Sequence, residues 1–90
     1  MENLILFTDY YFATKADALL AKEGIMHQLI PTPTALDNTC GLCILLPKEQ
    51  LHSSLLEVLT KLQQAHISHS GIYAYDKSRQ VCERLTISLE

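Results

Sequence analysis

The sequence predicts an α+β fold, specifically a ferredoxin-like βαββαβ unit. Its sheet is expected to be four-stranded and antiparallel, in the order 4-1-3-2, with two helices on one face and an extra C-terminal strand. Three observations carry this reading. Short apolar runs of strand length alternate with two longer segments of helical periodicity. Each helical segment has one apolar stripe, which suits helices laid side by side on a sheet. The runs "LILF" and "CILL" are apolar at consecutive positions instead of alternating. Both faces of those strands therefore need cover. The C-terminal tail or a second copy of the chain could supply it, since exposed apolar sheet is an aggregation liability.

The elements follow in order. "NLILF", Asn3 to Phe7, has strand length and composition. Thr8 or Asp9 then caps a helix, because a short side-chain oxygen satisfies an orphan N–H. Phe12, Ala16, Leu19 and Leu20 form its stripe, with Ala13 alongside, and Gly24 ends it as a left-handed residue. "IMHQLI", Ile25 to Ile30, is the second strand, and a proline-bearing loop follows. "LCILL", Leu42 to Leu46, is the third strand, ended by Pro47. Leu51, Leu55, Val58, Leu59 and Leu62 mark the second helix, with Pro47 at its start and Lys61 in its last turns. "HISHSG" is its exit loop and "IYAY", Ile72 to Tyr75, the fourth strand. Leu85, Ile87 and Leu89 alternate with Thr86 and Ser88 in a half-buried last strand. Residues 1–76 read as one domain and 77–90 as an extension. No internal repeat beyond the architectural one is apparent.

Composition narrows the function classes. Ninety residues with 48% hydrophobic and 19% charged content make one compact domain with a modest core. A net charge of −3 and the lack of a basic run argue against a nucleic-acid partner. No segment approaches the ~20 apolar residues of a membrane span, and the acidic start is unlike a signal peptide. The expected compartment is the cytoplasm, where thiols stay reduced. Three cysteines, an odd number, do not suit a disulfide framework.

The chemistry centres on "CGLC", Cys40 to Cys43. A strand conformation there spans ~10 Å over three residues. A disulfide needs Cα atoms roughly 4.4–6.8 Å apart. A Cys40–Cys43 bridge is therefore disfavoured, and the two side chains should point to opposite faces. Zinc held by Cys40, Cys43, Cys82, His66 and His69 is a further possibility. Cys43 in a strand reads more simply as a small buried apolar residue, so no metal is assigned. Cys40 is then left as a single thiol on a loop. The topology is expected to bring it to one end of the sheet with the Thr8–Tyr11 turn and the His66–His69 loop. A helix N-terminus with open N–H groups, or a protonated His66 or His69, would lower its pKa.

These residues resemble a known family. "LIPTP" (Leu29 to Pro33), "CGL" (Cys40 to Leu42), the helix "ATKADALLAKEGI" and "GIY" (Gly71 to Tyr73) together look like the selenium/sulfur carrier-like family of small bacterial domains. The resemblance runs from about Leu4 to Tyr75. It implies that Cys40 is the chalcogen-carrying thiol, holding a persulfide or selenide. The implied partner is a cysteine desulfurase or another sulfur/selenium transfer protein. Thr8, Asp9, Pro31, Thr32, Pro33, Gly41 and His69 are the expected binding residues around it. Pro31 and Pro33 stiffen the loop, and Gly41 permits close backbone approach. No cofactor and no independent enzymatic cycle is expected. The alternative is a non-catalytic ligand- or protein-binding regulatory module. A homodimer is expected under either reading.

Overall fold

Leu4 to Phe7 is a run of four apolar residues, and it becomes the centre of the molecule. The computed structural model describes residues 2–33, 36, 41–47, 55–76, 78–79 and 81–85. Among these the chain runs β1 (Glu2–Leu6), α1 (Tyr10–Lys22), β2 (Gln28–Pro31), β3 (Leu42–Leu46), α2 (Leu55–Gln64), β4 (Gly71–Asp76) and β5 (Val81–Leu85). The fold is α+β: two helices and one antiparallel sheet, in the order β2-β3-β1-β4-β5.

The expected order 4-1-3-2 is present within the sheet, and the extra C-terminal strand joins the same ladder beside β4, so that the sheet has five strands and not four. The last described strand is Val81–Leu85, and the strand expected at Leu85–Leu89 falls on residues 86–90, which lie outside the described residues. Its register on β4 runs from Asp76↔Val81 to Ile72↔Leu85. The hairpin is set by Asp76, whose Oδ1 accepts from Ser78 Oγ at 2.8 Å, Ser78 N at 3.2 Å and Arg79 N at 3.4 Å. Such an Asx turn fixes where the returning strand begins. The Ser78 hydroxyl, with the two N–H groups, holds the exposed Asp76 carboxyl below its ordinary range. β2 is also shorter than expected and starts at Gln28 instead of Ile25. The Ile25 N–H is already used, donating to Leu20 O at 2.9 Å to close α1. The segment 48–54, which includes Leu51 and the expected start of α2, lies outside the described residues.

Strand alternation divides the core in two. Ile5, Phe7, Ile44, Leu46 and Ile72 face Ala13, Ala16 and Leu20 of α1 and Val58, Leu59 and Leu62 of α2. Both helices therefore cover the same face. Leu4, Leu6, Cys43 and Leu45 face the other way and are at most 5% exposed. Ile30, Leu36, Tyr73, Tyr75 and Cys82 pack against them. Full burial of such side chains stabilises by roughly 1.5–3 kcal/mol each. The second face is thus buried within one chain. That removes the exposed apolar sheet from which a homodimer was expected.

Both helices end in the same way. In α1, Gly24 (φ +70°) follows the C-cap. Its N–H donates to Ala21 O at 3.2 Å, and Ile25 N donates to Leu20 O at 2.9 Å. In α2, His66 (φ +60°) stands in the corresponding place. His66 N donates to Gln63 O at 3.0 Å, and Ile67 N to Leu62 O at 2.9 Å. These are two Schellman motifs, each sealed by a buried isoleucine. The sequence carries the repeat as "LAKEGIMH" and "LQQAHISH". It is a true internal correspondence, contrary to the expectation that only the architecture repeats.

Two side-chain contacts tie the helices down. His27 Nε2 lies 2.6 Å from Asp17 Oδ1, and His27 Nδ1 lies 2.8 Å from Ile25 O. The imidazole is only 8% exposed. The pair anchors the start of β2 to α1. Lys61 Nζ donates to Glu23 Oε1 at 2.8 Å on the surface, joining α2 to the C-cap of α1. This contact lowers the Glu23 pKa and raises that of Lys61, by hydrogen bonding first and charge second.

Two outcomes are expected from urea unfolding. His66→Gly should raise stability by up to about 1 kcal/mol, because glycine accepts a positive φ without strain, whereas Gly24→Ala should lower it by about 1–2 kcal/mol. A double-mutant cycle with Asp17→Asn and His27→Gln should give a coupling of about 1 kcal/mol or more. Additive single-mutant effects would show that the buried pair does not bind α1 to β2.

Candidate functional site

The sheet register brings several chain segments to one end. Leu6, the last residue of β1, pairs with Cys43 on one side and Gly71 on the other. Pro31, the last residue of β2, pairs with Leu42. Ser70 N donates to Leu6 O at 2.7 Å, which docks the α2 exit loop against the end of β1. The Thr8–Asp9 turn, the limbs of the β2–β3 connection and the His66–Ser70 loop therefore share that end, as the topology predicts. Cys40 and residues 37–39 lie outside the described residues. The Cys40–Cys43 pairing and the relative facing of the two thiols lie outside them as well.

The limbs of the connection are joined. Thr32 N donates to Gly41 O at 3.0 Å, extending the β2–β3 ladder by one bond. Leu36 N donates to Pro33 O at 3.0 Å, forming a turn behind the second proline. Pro31 ends an outer strand, where its missing N–H interrupts no ladder. Gly41 adopts φ +80°, and nothing lies within 4 Å of where its Cβ would stand. This positive φ is a conformation that glycine adopts without strain. The Thr32 hydroxyl is buried and has no hydrogen-bond partner among the described residues. Spacing gave no hint of this orphaned group.

Asp9, not Thr8, caps α1. Its Oδ1 accepts from Tyr11 N at 2.8 Å and Phe12 N at 3.3 Å, while Ala13 N donates to its carbonyl at 3.4 Å. Thr8 is exposed. The open N–H groups expected to stabilise a thiolate are thus occupied. A carboxylate, not an unshielded positive dipole, sits at this helix start. Tyr10 and Tyr11 stand beside it, 63% and 56% exposed. Tyr11 meets the Phe12 ring edge-on at 5.5 Å, and Lys15 Nζ lies 5.2 Å from its centroid.

His66 and His69 line an open cavity of about 450 Å³ with Gln63, Ile67 and Ser68. Burial lowers the His69 pKa below its ordinary value, which disfavours the protonated ring. Cys43 is fully buried on the helix-free face, as its strand position predicts. Cys82 packs against the same cluster from β5, and burial pushes its thiol pKa up. Among the described residues, no three or more His, Cys, Asp or Glu side chains group to hold a metal.

The depressed His69 pKa makes stability pH-dependent. Below the ordinary value of 6.5 the unfolded chain binds more protons at this site than the folded one. Stability is therefore lost as pH falls below 6.5. Urea midpoints at pH 7.5 and 5.5 should differ more for the native chain than for His69→Gln. Equal differences would remove His69 from this dependence.

Comparison with known proteins adds one finding. Among the described residues no helix is long and apolar enough to cross a membrane. A search of curated proteins and a search of solved structures each returned no match. A family model described as "Putative Se/S carrier protein-like" matches residues 2–74. That span takes in β1 through most of β4, with both helices and the "LIPTP" and "CGL" segments. By this match the chain belongs to the Se/S carrier protein-like family.

Proposed function

We propose that the protein is a carrier of sulfur or selenium, held on the Cys40 side chain, with no catalytic cycle of its own. Family membership supports this reading. The observation that carries it furthest is the Thr32 N–H to Gly41 O bond. It fastens the proline-bearing limb to the residue that follows Cys40 in the chain. Pro31 and Pro33 fix φ on that limb, so less conformational entropy is lost when the loop meets a partner. Residues 1–76 form the carrier unit in this reading, and 77–90 extend it.

The chemistry is thiol exchange at constant oxidation level. The Cys40 thiolate attacks the outer sulfur of a persulfide on a cysteine desulfurase or similar donor. The donor's S–S bond breaks, a new S–S bond forms on Cys40, and the donor leaves as a thiolate. The proton on the transferred sulfur travels with it. Delivery to an acceptor is the same step reversed. A selenium cargo follows the same balance with an Se–S bond. The reaction suits a reducing cytoplasm and a thiol whose pKa lies near ambient pH. With the α1 N-terminus capped by Asp9, that helix supplies little to depress it.

A second reading, a non-catalytic ligand- or protein-binding regulatory module, draws on the exposed Tyr10 and Tyr11 rings. Aromatic side chains of this kind are enriched at interfaces. Intact-mass measurement after incubation with a cysteine desulfurase and free cysteine separates the two. The carrier gains one sulfur atom that dithiothreitol removes. The gain disappears in Cys40→Ser and persists in Cys43→Ser. An adduct that survives Cys40→Ser, or none with several donors, would sink the carrier reading.

A further inference from the structure

The repeated helix ends place two histidines in corresponding positions with different surroundings. "LAKEGIMH" ends on His27 and "LQQAHISH" ends on His69. The preceding hydrogen bonds match one for one, so the rings leave equivalent points of the two halves. His27 is fully employed: Asp17 lies 2.6 Å from one nitrogen and the Ile25 carbonyl 2.8 Å from the other. The residue corresponding to Asp17 is Leu59, which is 1% exposed in the core. His69 therefore has no carboxylate at the position that holds His27, and among the described residues no side-chain hydrogen bond or ion pair engages it.

His66 adds a second imidazole. It occupies the left-handed position that Gly24 fills in the first half. A non-glycine residue at positive φ is a strained choice, and such choices concentrate where a side chain has work to do. Its ring also has no partner among the described residues, and it lines the same open cavity as His69. Gln63 and Ser68, on the same wall, offer a carboxamide and a hydroxyl oxygen.

We infer that His66 and His69 form a binding site for a borderline divalent transition-metal ion, of the Ni²⁺, Cu²⁺ or Zn²⁺ class. Imidazole nitrogen suits these ions better than it suits Mg²⁺ or Ca²⁺, which take oxygen ligands. Gln63, Ser68 or water completes the coordination. The site uses no cysteine and stands apart from the carrier reading.

The test is a titration of the full chain with Ni²⁺ at pH 7.5, read by NMR of the histidine ring protons, in the native protein and in Cys40→Ser. The His66 and His69 signals should broaden together in both proteins, while those of His27, whose ring is engaged, stay sharp. Single substitutions His66→Gln and His69→Gln should each weaken binding at least about tenfold. Broadening of neither ring, of only one, or only while Cys40 is present would overturn the site. Because the readout is unchanged in Cys40→Ser, it is independent of whether Cys40 carries sulfur.

Discussion

The structure depends on the double-sided burial of β1. Leu4 and Leu6 point into one apolar layer, Ile5 and Phe7 into the other, and all four are at most 3% exposed. β1 is also the strand on which β3 and β4 both pair. A shift of one residue in its register would exchange the two layers and drive Leu6 toward the helices. Because no polar residue interrupts the run, hydrophobicity alone does not select the register. The flanking ladders do, and the Ser70 N–H bond to Leu6 O marks their terminus. The geometry of that whole end of the sheet follows from where β1 stops.

Much of the fold is legible in the sequence, because the signals are periodic and strong. The stripes of α1 and α2, Gly24 as a stop signal and the runs of β1 and β3 each specify their element without help from distant residues. The errors have a common cause. Residues 25–27 look like strand, but Ile25 is claimed by the end of α1 and His27 by Asp17. "VCERL" carries no alternation, yet Val81–Leu85 pairs along all of β4 because the Asp76 turn returns the chain there. Tertiary hydrogen bonding overrode local pattern in both places.

The candidate site was less legible. Sequence pattern brought its chain segments to the correct end of the sheet through topology alone. It could not choose between Thr8 and Asp9 as the cap, and the choice reverses the electrostatics of that corner. Nor could it foresee that burial lowers the His69 pKa, since desolvation depends on what packs around the ring. The orphaned Thr32 hydroxyl and the Asp17–His27 pair arise from contacts that spacing does not encode. The parallel between "LAKEGIMH" and "LQQAHISH" was available by inspection. Its meaning emerged only when identical hydrogen bonds were seen to end both helices.

That parallel also bears on how the protein can be improved or spoiled. The two halves solve one backbone problem with different residues, glycine in one and histidine in the other. A selection for thermal resistance has every reason to make them alike and to replace His66 first. The same replacement would strip a wall from the cavity beside α2. Robustness and surface chemistry therefore compete at one position, and a variant library scored on melting alone would discard the chemistry unseen.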